Sequence, residues 1–234
     1  MTFSILTYDD KTGVYAGAAA TGSLCVGGWV LRGDIESGLC ASQGTAPSTF
    51  WRDDAMRRLY AGEAAADVVA QLTDADSGRD HRQLAVLDRS GGTAGFTGAA
   101  SVPYADTIAT PNLVVAGNMI ESRKVLEAMI TGYDTQTGSA PQRLIAALRA
   151  AQVAGSDVRG LQSAALLVFS PNAPPVDLRI DHSATPIDDL ATLASRVSQP
   201  PYSTWLEEAP VQSDRSRAPH QPDSLANSEL LTRP

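Results

Sequence analysis

The sequence predicts an α+β fold, a four-layer αββα sandwich in which two antiparallel sheets stack face to face with helices outside. Three observations carry this. The strand signals come in groups separated by paired helices rather than in a βαβ alternation, so a doubly wound parallel sheet does not fit. The second strand, Val14 to Ala20, is almost entirely small or apolar, which suits a position covered on both faces. The helical stretches each carry one apolar face, which suits outer layers.

Phe3 to Tyr8 alternates in strand fashion and leads through the turn signal Asp9-Asp10-Lys11-Thr12-Gly13 into Val14 to Ala20, a hairpin at the start of the chain. A Gly-rich segment, Gly22 to Gly33, precedes a third strand, Ile35 to Gln43, whose small residues fit close packing or a ligand-facing wall. Between Ser48 and Asp74 the spacing of Phe50, Met56, Leu59, Val68, Val69 and Leu72 predicts two helices with a break at Gly62. Leu84 to Leu87 and Ala94 to Thr97 flank Asp88-Arg89-Ser90-Gly91-Gly92 as a second hairpin. Leu113 to Ala116 is a strand running into Gly117-Asn118. Helices follow over Glu121 to Tyr133 and Pro141 to Ala154, the latter with Ser139 as cap and Pro141 in its first turn. Ala164 to Phe169 and Val176 to Ile180 form the last hairpin, and a helix runs from Thr185-Pro186 to Val197.

These elements make one domain over residues 1–197. Residues 198–234 are rich in Pro, Ser, Asp and Gln and poor in large apolar side chains, so this tail is expected to be largely disordered, with Tyr202 and Trp205 as anchors for its first residues.

Across the 234 residues, 26 Asp and Glu outnumber 18 Lys and Arg for a net charge of −8, which argues against nucleic acid or an anionic membrane surface as partner. No stretch approaches the roughly 18–20 apolar residues of a membrane span, and Met1 to Asp10 has neither a basic leader nor an apolar signal core, so a cytoplasmic location is expected. Cys25 and Cys40 read as free thiols rather than a disulfide, and two cysteines with three histidines make a metal site unexpected. Gly91-Gly92-Thr93-Ala94-Gly95 lacks the Lys-Ser/Thr ending of a phosphate loop and reads as hairpin turn chemistry.

His81 sits in the charged loop Arg79-Asp80-His81-Arg82, His182 follows a strand and His220 lies in the tail, so no Ser/His/Asp set is evident. The chain start remains. Thr2 is small enough for removal of Met1, which leaves a hydroxyl nucleophile and an α-amine of pKa about 7.7–8.0 on one residue. The amine can take the hydroxyl proton directly or through a water, the Thr/N-terminal-amine counterpart of a Ser/His pair. Met-Thr alone is a common chain start. Its place at the head of a strand adds weight.

Met1-Thr2-Phe3-Ser4-Ile5, Thr12-Gly13, Arg82-Gln83-Leu84-Ala85-Val86 with Asp88, Thr97-Gly98, Gly117-Asn118-Met119 and the run Asp157-Val158-Arg159-Gly160-Leu161-Gln162-Ser163-Ala164-Ala165-Leu166 together resemble the bacterial and archaeal domain-of-unknown-function family 1028, placed in the Ntn-hydrolase superfamily. The resemblance runs from Met1 to about Val197. It implies an N-terminal-nucleophile fold but no established reaction. Where the commoner family pattern has Ala-Ser-Arg followed by aromatics, this chain has Ala20-Thr21-Gly22-Ser23-Leu24; the basic group is missing there, with Arg32 as the nearest replacement.

The expectation is therefore an amidohydrolase of small amides or peptides needing no cofactor. Thr2 is the nucleophile and Asn118, at a strand end before a helix, the oxyanion donor, with helix capping as its structural alternative. Thr21 and Ser23 follow the second strand and could bond the amine, or be turn residues. Asp157 and Arg159 could orient the site or clasp a loop. Gln162 could reach inward from its strand, and Arg82 could fork a substrate carboxylate or stay a solvated charge. The rival from another class is a non-catalytic small-molecule binding or assembly protein on the same fold. Expected partners are the small amide or peptide substrate and, as an open alternative, further copies of the chain.

Overall fold

The N-terminal hairpin sits at the centre of the larger sheet. The computed structural model describes residues 1–155 and 160–219. In it β1 (Thr2–Asp9) pairs antiparallel with β2 (Val14–Thr21) on one side, and on the other with the strand that ends at Asn118. Asp9 closes the turn by accepting from Lys11 N–H and Thr12 Oγ1. A helical turn α1 (Val26–Trp29) leads to β3 (Leu31–Asp34) and β4 (Gly38–Gly44), then helices α2 (Thr49–Tyr60) and α3 (Ala65–Asp74). Next come β5 (Arg82–Asp88) and β6 (Thr93–Thr97), β7 (Ala105–Thr110) and β8 (Leu113–Asn118), α4 (Lys124–Thr135) and α5 (Ala140–Val153). The chain continues through β9 (Ser163–Ser170), β10 (Ala173–Ile180), α6 (Pro186–Val197) and the short α7 (Tyr202–Leu206).

The strand orders are β10-β9-β2-β1-β8-β7 and β3-β4-β5-β6, every pairing antiparallel. Leu6, Ala19, Leu39, Ala85, Leu87, Val114 and Ala165 fill the space between the sheets. Phe3, Ile5, Ala18 and Leu166 turn the other way, onto Leu126 and Met129 of α4 and Leu144 and Leu148 of α5. Trp51, Leu59 and Val68 of α2 and α3 cover Cys40, Leu84 and Val86 on the far side of the smaller sheet. The expected αββα sandwich is thus present, with the first hairpin covered on both faces. Among the described residues no helix is long and apolar enough to cross a membrane.

Four local expectations need correction. The strand expected over Ile35 to Gln43 starts only at Gly38, and Ile35 to Ser37 are the turn of a β3–β4 hairpin, because Asp34 accepts from the backbone N–H groups of Glu36 and Ser37 and turns the chain. Gly38 follows at φ 111°, where a Cβ would stand 2.3 Å from the Leu87 carbonyl. Strand β7 was not expected at all. It is an edge strand of half-exposed Ala, Asp and Thr with only Ile108 packed inward, so its alternation is faint. Helix α4 begins at Lys124 rather than Glu121, since Met119 adopts φ 56° and Ile120 N–H bonds back to the Tyr104 carbonyl. Finally, within the segment expected to lack order, residues 198–219 fold back on the domain. Val211 is buried, Ser213 N–H donates to the Pro171 carbonyl and Arg215 pairs with Glu36 at 2.5 Å; the rest of that segment lies outside the described residues. Cys25 and Cys40 are free thiols, Cys25 half-buried and Cys40 fully buried, where burial pushes the thiol up to about 12.

Two buried polar groups tie the layers. Gln83, fully buried on β5, reaches across to the larger sheet: its Nε2 donates to the Asp106 carbonyl at 2.9 Å and the Gly117 carbonyl at 3.0 Å. Asp88, at the other end of β5, accepts from Ser90 N–H and Oγ, Gly92 N–H and the Ala65 N–H at the head of α3. Burial pushes the Asp88 carboxyl up, but the bonds from Ser90, Ala65 and Gly92 outweigh it and hold the group below the usual carboxylate range.

Gln83→Leu leaves two carbonyls and two buried carboxamides without their partner, so a loss on the order of 3 kcal/mol is expected in denaturant titration; a loss under about 0.5 kcal/mol would refute the tie. Because the folded pKa of Asp88 lies below its unfolded value of about 3.9, its contribution is complete above that pH and is lost as pH falls through the folded value. Asp88→Asn should lower stability by about 1–3 kcal/mol near neutrality and make the remaining stability less sensitive to acid below about pH 4. Equal acid sensitivity in the two proteins, measured by pH-dependent unfolding, would contradict this.

Candidate active site

The pairing of the larger sheet sets a polar row across one end. Thr2 stands opposite Thr21 on one side and Asn118 on the other, and Thr21 stands opposite Ser163. Directly opposed residues share a face, and this row continues the Leu6, Ala19 and Val114 side, so the four side chains face the smaller sheet. Beneath them lie Gln43 of β4 and Gln83 of β5.

The hydrogen bonds fix which way the carboxamides point. Gln83 Nε2 faces two carbonyls, which only accept, so Gln83 Oε1 is the acceptor. The groups facing it are therefore nitrogens: Gln43 Nε2 at 2.7 Å and Asn118 Nδ2 at 3.3 Å. Gln43 Nε2 also donates to the Thr2 carbonyl at 3.3 Å, which anchors the first residue of β1 to the opposite sheet. Among the described residues Gln43 Oε1 and Asn118 Oδ1 are buried and have no hydrogen-bond partner.

Thr2 is half-buried, and its Oγ1 lies 3.0 Å from Thr21 Oγ1. Thr21 gives its single hydroxyl proton to the Met1 carbonyl at 2.5 Å, so with Met1 in place Thr2 is the donor between the two hydroxyls. Met1 is 4% exposed and packs in the core under α4 and α5, its amine 3.6 Å from Met119 Sδ. Thr2 opens onto a cleft of about 380 Å³ lined also by Thr21, Ser23, Val26, Trp29 and Gln43. A larger groove of about 590 Å³ between α5, β10 and α6 holds none of the expected site residues that are described. Among the described residues no cluster of His, Cys, Asp and Glu is gathered as a metal site.

Of the expected site residues, Thr2, Thr21 and Ser23 share this cleft. Asn118 is beside Thr2 but not in the cleft wall: it is 1% exposed and its amide is engaged by Gln83. Gln162 contributes main chain, its N–H donating to the Thr21 carbonyl at 2.9 Å, and its side chain is not part of the wall. Arg82 does not face the cleft. Its Nε pairs with Asp76 at 2.6 Å, its NH1 donates to the Ala46 carbonyl and its guanidinium lies over the Trp51 ring, so no free fork remains. Asp157 and Arg159 lie outside the described residues. Arg32, the replacement for the missing basic group, donates instead to the carbonyls of Gly27, Gly28 and Leu31. Sequence reasoning assigned no role to Gln43 and Gln83. The available signal was a carboxamide at an inward position of an otherwise apolar strand, which must find buried partners.

No curated protein matches the chain significantly. A crystal structure of a protein from Silicibacter pomeroyi is 44% identical, with 93% of this chain and 98% of that one covered at a TM-score of 0.88. HslV from Trypanosoma brucei (14% identity, 73% and 99% covered, TM-score 0.43) and the Thiobacillus denitrificans protein BPH in complex with epoxomicin (15%, 78% and 100%, TM-score 0.35) are likenesses too remote to bear on the chemistry. The family model that fits the Silicibacter protein also matches residues 2–190 here, and the chain belongs to that family, the family of unknown function DUF1028.

Proposed function

We propose that the chain is an N-terminal-nucleophile amidohydrolase of small amides or peptides, with Thr2 as nucleophile once Met1 is removed. The observation that carries this reading is the position of Thr2: it lines the cleft beside Thr21 while its backbone is held by β2, β8 and Gln43. Removal of Met1 creates the α-amine where the Met1 carbonyl now meets Thr21 Oγ1, so Thr21 is placed to bond the new amine. The neutral amine takes the Oγ1 proton as Oγ1 adds to the substrate carbonyl. The resulting ammonium protonates the leaving nitrogen, the C–N bond breaks, and water then cleaves the acyl ester to regenerate the hydroxyl. Asn118 enters as a positioning residue, its amide given to Gln83 and its main chain holding β1, rather than as the oxyanion donor.

One observation favours the rival reading. Met1 is sealed in the folded chain, and a chain that keeps it has no free amine on Thr2. In that form the same cleft is a binding site for a small molecule.

Thr2→Ala should lower turnover of an N-acyl amino-acid anilide by about a thousandfold or more, while Thr2→Ser keeps a measurable fraction. Because the amine must be neutral to act, kcat/KM should rise with pH through about 8. Undiminished turnover in Thr2→Ala would overturn the mechanism.

A further inference from the structure

The cleft beside Thr2 has a chemical bias of its own. Among the described residues the polar side chains that line it are all uncharged: Thr2, Thr21, Ser23, Gln43 and Thr45. Its remaining wall is apolar, formed by Leu24, Val26, Trp29, Val30 and Pro47. Leu24 and Trp29 stand at the surface, 54% and 50% exposed, an apolar lip that a ligand would cover.

Among the described residues, two cations behind the α1 wall are turned to main-chain carbonyls. Arg32 gives its guanidinium to carbonyls of α1 and to the Leu31 carbonyl. Arg52, buried on α2, donates to the Gly28 carbonyl at 2.7 Å and the Trp29 carbonyl at 3.3 Å while its Nε holds Asp53. Two guanidinium groups thus fix the carbonyl end of α1 and with it the main chain that carries Trp29. A charged side chain entering beside Trp29 would shed water against an apolar wall on which, among the described residues, no charged side chain stands, whereas a hydrocarbon side chain would gain from covering the lip. At about 380 Å³ the cleft is near the small end of ligand sites, which run from about 300 to 1,000 Å³, so it holds an amide and one side chain rather than a long peptide.

We propose that Val26, Trp29, Val30 and Pro47 form a subsite for an uncharged hydrocarbon side chain next to the scissile carbonyl, and that the substrate class is a small neutral amide bearing such a side chain. This rests on Thr2 being the reacting group, and Arg52 serves the subsite as a positioning residue for the α1 wall.

Full-length Thr2→Ala protein, which binds without turnover, separates the subsite from the chemistry. Calorimetric titration with N-acetyl-leucine methylamide, N-acetyl-lysine methylamide and N-acetyl-glutamate methylamide should show the leucine compound binding at least about tenfold tighter than either charged one. Adding Trp29→Ala should remove most of that difference with little change in melting temperature, since the ring is half-exposed. Equal binding, tighter binding of a charged compound, no binding of any, or a preference that survives Trp29→Ala overturns the subsite. If the leucine compound binds as expected but the Met1-free Thr2 protein does not cleave the matching leucine anilide, the hydrolase reading fails while the subsite stands.

Discussion

At the Thr2 end of the molecule the two sheets are joined through Gln83, a fully buried side chain whose amide donates to carbonyls of β7 and β8 and whose oxygen accepts from Gln43 and Asn118. A carboxamide in a low-dielectric interior must have its bonds made, so the carbonyl positions of β7 and β8 and the side chains of Gln43 and Asn118 are all set relative to β5. Between the two ends the sheets meet mainly through apolar contacts of Leu, Val and Ala, which resist separation but tolerate small slips, and at the far end Tyr15 OH donates to the Arg89 carbonyl and Thr93 Oγ1 to the Thr110 carbonyl. Hydrogen bonds tolerate less. The end of the sandwich that carries the polar row is therefore closely specified, and the Thr2 carbonyl is drawn into the same network through Gln43.

From that tie the site follows by strand geometry. Once β1 lies between β2 and β8 in the observed register, Thr21 and Asn118 flank Thr2 whatever their sequence distance. A slip of one residue would turn Thr2 toward the helices and Phe3 into the cleft. The small residues of β2 belong to the same logic, since Ala16, Ala18 and Ala20 accept helices closely on one face while Ala19 faces the second sheet on the other.

Much of this was legible in the sequence because it rests on local patterns. The first hairpin announced itself through Asp9 to Gly13, and α5 through Ser139 and Pro141; in the structure Ser139 and Gln142 form a capping box. Elements whose shape is imposed from outside were not legible. Strand β7 pairs because β8 offers it an edge, and α1, spelled Val-Gly-Gly-Trp, holds its turn with Arg32 and Arg52 on its carbonyls. The same division runs through the site. Thr2, Thr21 and Ser23 could be placed because they close strands of a visible hairpin. Arg82 could not, since its partner Asp76 and the Trp51 ring meet it only in three dimensions. Asn118 looked like an open donor at a strand end because nothing in its neighbourhood in sequence foretold Gln83.

On the proposed mechanism the Thr2 hydroxyl becomes a nucleophile only when its own amine is freed. Met1 is packed in the core rather than fraying into solvent, and in preparations made with different degrees of Met1 removal intact mass measures the two populations directly. Hydrolysis of a fluorogenic N-acyl-leucyl anilide should rise in proportion to the Met1-free fraction and extrapolate to zero when every chain retains Met1. A rate independent of that fraction, or no hydrolysis in fully Met1-free protein, would contradict the account.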